Sequence, residues 1–196
     1  AFIRKYAHQG NLFKFTFMAM SVPETEWDFG GWNVVNGQPL PLTIAKVNIT
    51  GAQLFINQAF HEFSGGFGPA PKDQEAFNRL VNDSYKAQVL EPANMLSAHS
   101  TALRLENPRL ETTSTVDCVS CHLAQTARTW IEDKDNSIAV RNVQNKFTSK
   151  QFILTNTTSD KGRTDNVHSF SYFLHMATIN QRAINETAFV LEKLNK

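Results

Sequence analysis

Two cysteines lie three positions apart in the segment Asp117 to His122, and the chain of 196 residues contains no others. The second cysteine is followed directly by His122, so the segment reads DCVSCH. A thiol pair at this spacing can bind a metal ion, form a redox-active dithiol or attach a prosthetic group covalently. The choice among these three chemistries constrains the fold and the function more than any other feature of the sequence.

The rest of the sequence argues against a structural zinc site and against a thioredoxin-like dithiol. A structural zinc site usually needs a second C-x-x-C pair or two histidines at finger spacing. Neither is present, because the other five histidines are scattered over positions 8, 61, 99, 168 and 175. A redox-active pair would follow a strand, whereas the residues before Cys118, ENPRLETTSTVD, are polar and turn-forming. A pair of ordinary buried thiols would leave His122 unexplained.

Covalent attachment of haem accounts for all three residues. On a short helical turn Cys118 and Cys121 project to one side, where their sulfurs can form thioethers with the two vinyl groups of a porphyrin. His122 can then bind the iron through one ring nitrogen while the other donates to a carbonyl or a similar acceptor. Cys118-Val119-Ser120-Cys121-His122 resembles the C-x-x-C-H attachment motif of the c-type cytochromes. The resemblance covers five residues, so it implies one haem c and leaves the rest of the fold open.

The fold around the motif is predicted to be α+β, unlike the all-α small c-type cytochromes. Residues 1–91 are expected to be β-rich, because LFKFTF alternates with the period of a strand and LTIAKVNI and QLFINQAF are further strand candidates. WDFGGWNVVNGQPLP is typical of a hairpin or an ordered loop. This part is predicted to end in a helix within KDQEAFNRLVNDSYKAQVL, with an apolar stripe of Phe77, Leu80, Val81 and Tyr85.

Residues 92–196 are predicted to form the haem-bearing part, which can pack with the first part as one unit. A helix over 93–106, bracketed by prolines, leads towards the motif, and LAQTARTWIED predicts that His122 lies on the first turn of a second helix. The segments SIAVRNV, KQFILTNT and NVHSFSYF have the composition of strands. The chain is expected to close with an amphipathic helix capped by Thr178, with Gln181 completing a capping box.

The second axial ligand of the iron is not fixed by the motif. In small c-type cytochromes a methionine shortly before a C-terminal helix often fills this position, and Met176 occupies a similar place here. The resemblance therefore makes Met176 the leading candidate. His99 is the principal alternative, and His175, Met95 or an open position also fit the sequence.

A haem held by the motif favours single-electron transfer with redox partner proteins, and it favours a carrier over an enzyme. One alternative is an iron with an open position that binds or transforms a peroxide or a diatomic gas, with His99, His168 or Arg128 as distal donor. Another is a haem-bearing subunit of a larger electron-transfer assembly, docked through the phenylalanine-rich N-terminal part. The motif alone does not decide among the three.

Composition bears on partners and location. Lysine and arginine number 19 against 18 acidic residues, so no strong field favours nucleic acid or an anionic membrane. No apolar run is long enough to span a bilayer. The asparagine-rich, cysteine-poor composition favours a bacterial source. In the c-type cytochromes haem is attached after export, so the resemblance implies a location outside the cytoplasm. With Ala1 in place of an initiating methionine, we expect a processed periplasmic protein, or one held at a membrane by an N-terminal lipid anchor outside this sequence.

Overall fold

The computed structural model describes residues 10, 12–21, 26–45, 49–58, 62–64, 76–77, 80, 91–151, 170–173 and 176–195. Over these residues the chain combines an antiparallel sheet in its N-terminal part with four helices in the remainder. The predicted α+β class is confirmed. The surroundings of the motif therefore differ from those in the all-helical small c-type cytochromes.

Seven strands lie in the described residues before position 65. They are β1 (Lys14–Ser21), β2 (Glu26–Val35), β3 (Gln38–Pro41), β4 (Thr43–Ile44), β5 (Ile49–Thr50), β6 (Ala52–Gln58) and β7 (Glu62–Ser64). The main sheet has the order β1-β2-β6-β7, and β3 pairs with the second half of β2. A separate small sheet pairs β4 with β5. The strands predicted in LFKFTF, LTIAKVNI and QLFINQAF are confirmed where the structure describes them.

The hairpin between β2 and β3 turns at Asn36 and Gly37, whose φ angles are 51° and 77°. Two positive φ angles in a two-residue loop match the right-handed twist of the flanking strands, and Asn-Gly is the favoured pair for such a loop. Upstream, a Cβ on Gly31 would lie 2.3 Å from the carbonyl oxygen of Phe15. The predicted hairpin is confirmed, and Gly31 is needed for the close approach of β1 to β2.

The side chains of β1 and β2 divide between two faces of the sheet. Phe15 and Phe17 share one face with Trp32, at ring-centroid distances of 4.9 Å and 5.3 Å. Met18 points to the other face, opposite Phe29 in the strand register. Phe29 is fully buried and Met18 packs against the same core. The second face is therefore the one that meets the helices.

Beyond Glu91, the described residues form four helices and a two-stranded ribbon. These are α1 (Pro92–Leu105), α2 (Cys118–Lys134), α3 (Ile138–Arg141), β8 (Phe170–Phe173), β9 (Met176–Ile179) and α4 (Gln181–Leu194). The predicted helix over 93–106 is confirmed as α1, with Pro92 at its start, where the missing N–H costs no hydrogen bond. The helix of the motif is also confirmed, but it begins at Cys118, so His122 is its fifth residue and lies just beyond the predicted first turn.

Two local predictions are wrong. The segment SIAVRNV was expected to be a strand, but Ile138–Arg141 is a short helix. Asp135 accepts hydrogen bonds from the backbone N and the hydroxyl of Ser137, which sets a turn, and buried Ile138 then packs inward. The cap of the last helix is Asn180 and not Thr178, because Thr178 is paired in β9 while Asn180 Oδ1 accepts from Ala183 N at 2.8 Å.

The remaining secondary-structure predictions fall partly outside the described residues. The strand in NVHSFSYF is confirmed over Phe170–Phe173, whereas KQFILTNT lies almost entirely outside. Of the helix expected within 72–90, the structure describes three positions, and the stripe residues Phe77 and Leu80 among them are buried. Val81 and Tyr85 lie outside.

A hydrophobic core unites the sheet and the helices. It draws on β2, on the segment around position 80, on α1, on α2 and on α3, and its members include Phe29, Phe77, Leu80, Ala98, Ala102, Leu105, Val119, Leu123, Ala127, Ile131 and Ile138. Residues from both sides of position 91 therefore share one apolar interior. The N-terminus of α2, which carries the motif, is packed between that interior and the sheet.

Candidate functional site

The first turn of α2 is fixed by a buried hydrogen-bond network. Asp117 is the N-cap, and its Oδ2 accepts from the backbone N of Ser120 at 3.0 Å. Gln53 of β6 is fully buried and bridges to the same turn, since its Nε2 donates to Asp117 Oδ2 at 2.9 Å and its Oε1 accepts from Val119 N at 3.1 Å. The sheet is thereby tied to the residues on either side of Cys118.

Cys118, Cys121 and His122 line one cavity of about 300 Å³, called the motif cavity below. The spacing i, i+3, i+4 brings the three side chains to one side of the helix, as the sequence predicted. The other wall comes from β1, from the chain after β3 and from the turns before α2, through Thr16, Phe17, Met18, Leu42, Thr113, Val116 and Asp117. The cavity therefore lies between the start of α2 and the sheet, and apolar side chains supply much of its wall.

The imidazole of His122 packs against the sheet. Its ring centroid lies 4.9 Å from that of Phe29, with the planes inclined by 41°. Because Phe29 is fully buried in the core, its ring is held by its surroundings. The contact therefore restricts the directions that the histidine ring can take.

Both thiols of the motif are free and partly buried. Burial raises the pKa of Cys118 to about 11, with a further rise from the negative charge of Asp117. Burial likewise raises the pKa of Cys121 to about 12. Both side chains are therefore neutral thiols at physiological pH. Redox-active dithiols have a lowered pKa, so this environment does not favour that alternative.

His99, the alternative iron ligand, lies in a different environment. It is buried in α1, and its Nδ1 and Nε2 are each 3.1 Å from a partner, Asn142 Nδ2 and Glu132 Oε1. The Asn142 amide nitrogen also donates to the carbonyl oxygen of Leu96, so Nδ1 accepts and Nε2 donates. Both ring nitrogens are thus engaged, and His99 is not among the residues that line the motif cavity.

The network around His99 extends to Arg128, another of the distal donors considered for a reactive haem. Arg128 Nε donates to Glu106 at 2.9 Å and Nη1 donates to Glu132 at 3.0 Å. Burial raises the pKa of Glu106, although Arg128 opposes the rise. Burial also acts to raise the pKa of Glu132, but the His99 hydrogen bond and the Arg128 charge bring it below its usual value. These residues line a second cavity of about 450 Å³.

The other candidate ligands are placed as follows. Met95 lies in α1 and packs against the core without lining the motif cavity. Met176 belongs to β9, but only its backbone is described. His175 and His168 lie outside the described residues. Sequence reasoning missed Met18, which lines the motif cavity beside the three motif residues. The alternation of β1 could have assigned Met18 to the face opposite Phe15 and Phe17, but nothing local connects it to the motif.

In the part of the chain that the structure describes, no three or more histidine, cysteine, aspartate or glutamate side chains are grouped as a metal site. The helices of that part are all too short or too polar to cross a bilayer. No family model, curated protein or solved structure that was compared is recognisably similar to this chain.

Proposed function

We propose that this chain is a monohaem c-type protein that transfers single electrons between partner proteins, with the haem bound by Cys118 and Cys121 and its iron by His122. The observation that carries the proposal is the grouping of both thiols and the imidazole around one cavity. Fixed spacing along a helix is what two thioethers and a neighbouring axial ligand require.

The donor set of the motif cavity fits such a group. Two neutral thiols and one imidazole face it, while Met18 and the buried residues Leu42 and Val116 supply apolar surface for a porphyrin ring. Among the described residues that line the motif cavity, Asp117 is the only carboxylate, and no lysine or arginine is present. The Asp117 side chain caps α2.

When bound, the haem supplies reversible one-electron chemistry, and the protein sets its potential through ligands and burial. The residues of the chain hold and shield it. Gln53 and Asp117 fix the turn that carries both sulfurs, and Phe29 orients the imidazole of His122. The apolar wall keeps water from one side of the site.

Electron transfer has more support than binding or conversion of a peroxide or gas. Two of the three donors expected for a reactive iron, His99 and Arg128, line the second cavity and are committed to Glu132, Glu106 and Asn142. The third, His168, lies outside the described residues. A general acid or base has to reach the reacting group. The partners are then redox proteins, and a location outside the cytoplasm follows because c-type cytochromes receive haem after export.

To test the proposal, the chain is produced in a host that exports it and that contains the machinery for attaching haem c. The intact mass and the absorption spectrum of the purified protein are then measured. The wild type is expected to gain the mass of one haem, and Cys118→Ser with Cys121→Ser is expected to lose it. Ser120→Ala is the matched control, because Ser120 lies between the cysteines and is expected to leave attachment unchanged. A colourless wild type of unmodified mass, from a host that matures another c-type protein, would overturn the proposal.

The spectrum separates the two uses of an attached haem. Low-spin iron that does not take up carbon monoxide supports electron transfer. Rapid uptake of carbon monoxide by the wild type would instead favour the small-molecule alternative.

A further inference from the structure

Met18 is held on the face of the sheet that meets the motif. In the strand register it lies directly opposite Phe29, and side chains opposite one another in antiparallel strands share a face. Phe29 in turn contacts the ring of His122 at a centroid distance of 4.9 Å. Met18 and His122 therefore both lie beside Phe29 on this face of the sheet.

Met18 is also part of the wall of the motif cavity. Among the described lining residues outside the motif, the side-chain groups with lone pairs are its thioether, the hydroxyls of Thr16 and Thr113, and the carboxylate of Asp117. A thioether is a soft ligand that haem iron accepts, as an axial methionine does in cytochromes c. The Asp117 carboxylate already caps α2 and bonds to Gln53.

Two other candidates, Met95 and His99, are placed elsewhere, and of Met20 and Met176 only the backbone is described. Met95 packs on the core from α1 and His99 is bonded through both ring nitrogens, and neither lines the motif cavity. The expected ligand, Met176, follows the motif in the sequence, whereas Met18 precedes it. A preceding strand can supply the ligand here because the sheet covers the side of α2 that carries the motif.

We propose that Met18, and not Met176 or His99, is the second axial ligand of the haem iron. This inference rests on the proposed function, since it requires an attached haem. It assigns to strand β1 the task of completing the coordination of an iron whose other ligand, His122, belongs to α2. The two elements would then be joined through the metal in addition to the bond between Gln53 and Asp117.

The test compares Met18→Leu with Met95→Leu in haem-loaded protein. Leucine nearly conserves the volume of methionine and removes the sulfur, so the fold is expected to persist. Met18→Leu is expected to keep the covalent haem by mass, lose the far-red sulfur-to-iron absorption band of the oxidised protein and bind carbon monoxide when reduced. Met95→Leu also replaces a half-buried methionine against the same core, and it is expected to change none of these.

A second measurement needs no change at position 18. The chain has four methionines, and methyl-labelled methionine in the reduced protein is expected to give one strongly shifted NMR signal from the ligand. That signal should survive in Met20→Leu, Met95→Leu and Met176→Leu. Its loss in any one of these three, its absence from the haem-loaded wild type, or a far-red band retained in Met18→Leu would overturn the assignment. A wild type without covalent haem would instead show, by mass alone, that the proposed function has failed.

Discussion

Gln53 donates a hydrogen bond from Nε2 to Oδ2 of Asp117 at 2.9 Å, across 64 positions of the chain. Both side chains are buried, and the same Oδ2 accepts from the first turn of α2. One carboxylate oxygen therefore joins the sheet to the helix at the residue that precedes the first cysteine. The rigidity of the site depends on this junction.

Replacement of Asp117 by alanine is expected to lower the free energy of unfolding by several kcal/mol. Loss of an N-cap costs about 0.5–2 kcal/mol, and an unpaired buried amide on Gln53 adds about 1–3 kcal/mol. Urea unfolding of the purified chain measures the change. Asn136→Ala removes an exposed polar side chain near the other end of α2 and is expected to stay within about 0.5 kcal/mol of the wild type. Equal losses in the two variants would contradict the role of the junction.

The ion pairs of Arg128 predict a second large effect. Arg128→Met leaves the buried carboxylate of Glu106 without its partner, which typically costs about 3–5 kcal/mol. Arg141→Met is the matched control, because its pair with Asp135 is exposed and worth about 0–1 kcal/mol. Chemical denaturation distinguishes the two. Adding Glu106→Gln to Arg128→Met is expected to recover part of the loss, and no recovery would argue against an uncompensated charge as the cause.

Without haem, the chain is expected to lose stability as the pH rises above 9. Burial raises the pKa of Cys118 from 9.0 to about 11 and that of Cys121 from 9.0 to about 12. The unfolded thiols therefore release protons first, so the stabilisation is complete below the unfolded pKa and is lost as the pH rises through the folded values. Each pKa unit corresponds to about 1.4 kcal/mol of stability, and this is reduced for both cysteines because each is partly exposed.

Urea unfolding of the haem-free chain at a series of alkaline pH values checks this expectation. Other groups also titrate in this range, so the comparison is with Cys118→Ala combined with Cys121→Ala. The double variant is expected to have a flatter pH dependence than the parent. Parallel curves would mean that the thiols are not shielded from water as their burial implies.

Phe29 and Phe15 provide a matched pair on opposite faces of the sheet. Phe29 is fully buried and contacts His122, whereas Phe15 is 39% exposed and stacks on Trp32. Phe29→Leu is expected to cost more stability than Phe15→Leu, by about 1–2 kcal/mol, because it opens space in the core. It should also shift the ring-proton NMR signals of His122 in the haem-free chain. An unshifted His122, or the larger loss in Phe15→Leu, would contradict the assignment of the faces.

The features that sequence reasoning found are those carried by short-range patterns. The period of LFKFTF predicted β1, and the turn residues of WDFGGWNVVNGQPLP predicted a hairpin or an ordered loop. The spacing of Cys118 to His122 predicted that three side chains share one side of a helix. Each depends on neighbours within a few residues, where backbone geometry limits the outcome.

The features that it missed depend on competition or on distance. Ile138 and Val140 favour strands, but the turn set by Asp135 overrode that preference. Thr178 and Asn180 are both good caps, and pairing of β9 with β8 decided between them. The approach of Met18 to the motif is a tertiary contact without a local signal, so only the fold could reveal it.

The two walls of the motif cavity are supplied by residues far apart in the chain, with Met18 one hundred positions before Cys118. Contacts of such separation form only after a long loop has closed, which is entropically costly and slow. During synthesis the strand emerges well before the helix, and the groove between them cannot exist until both are complete. If haem is attached after export, as proposed, the attaching enzyme would find both sulfurs open to reaction before the sheet docks, and docking would then enclose the finished adduct.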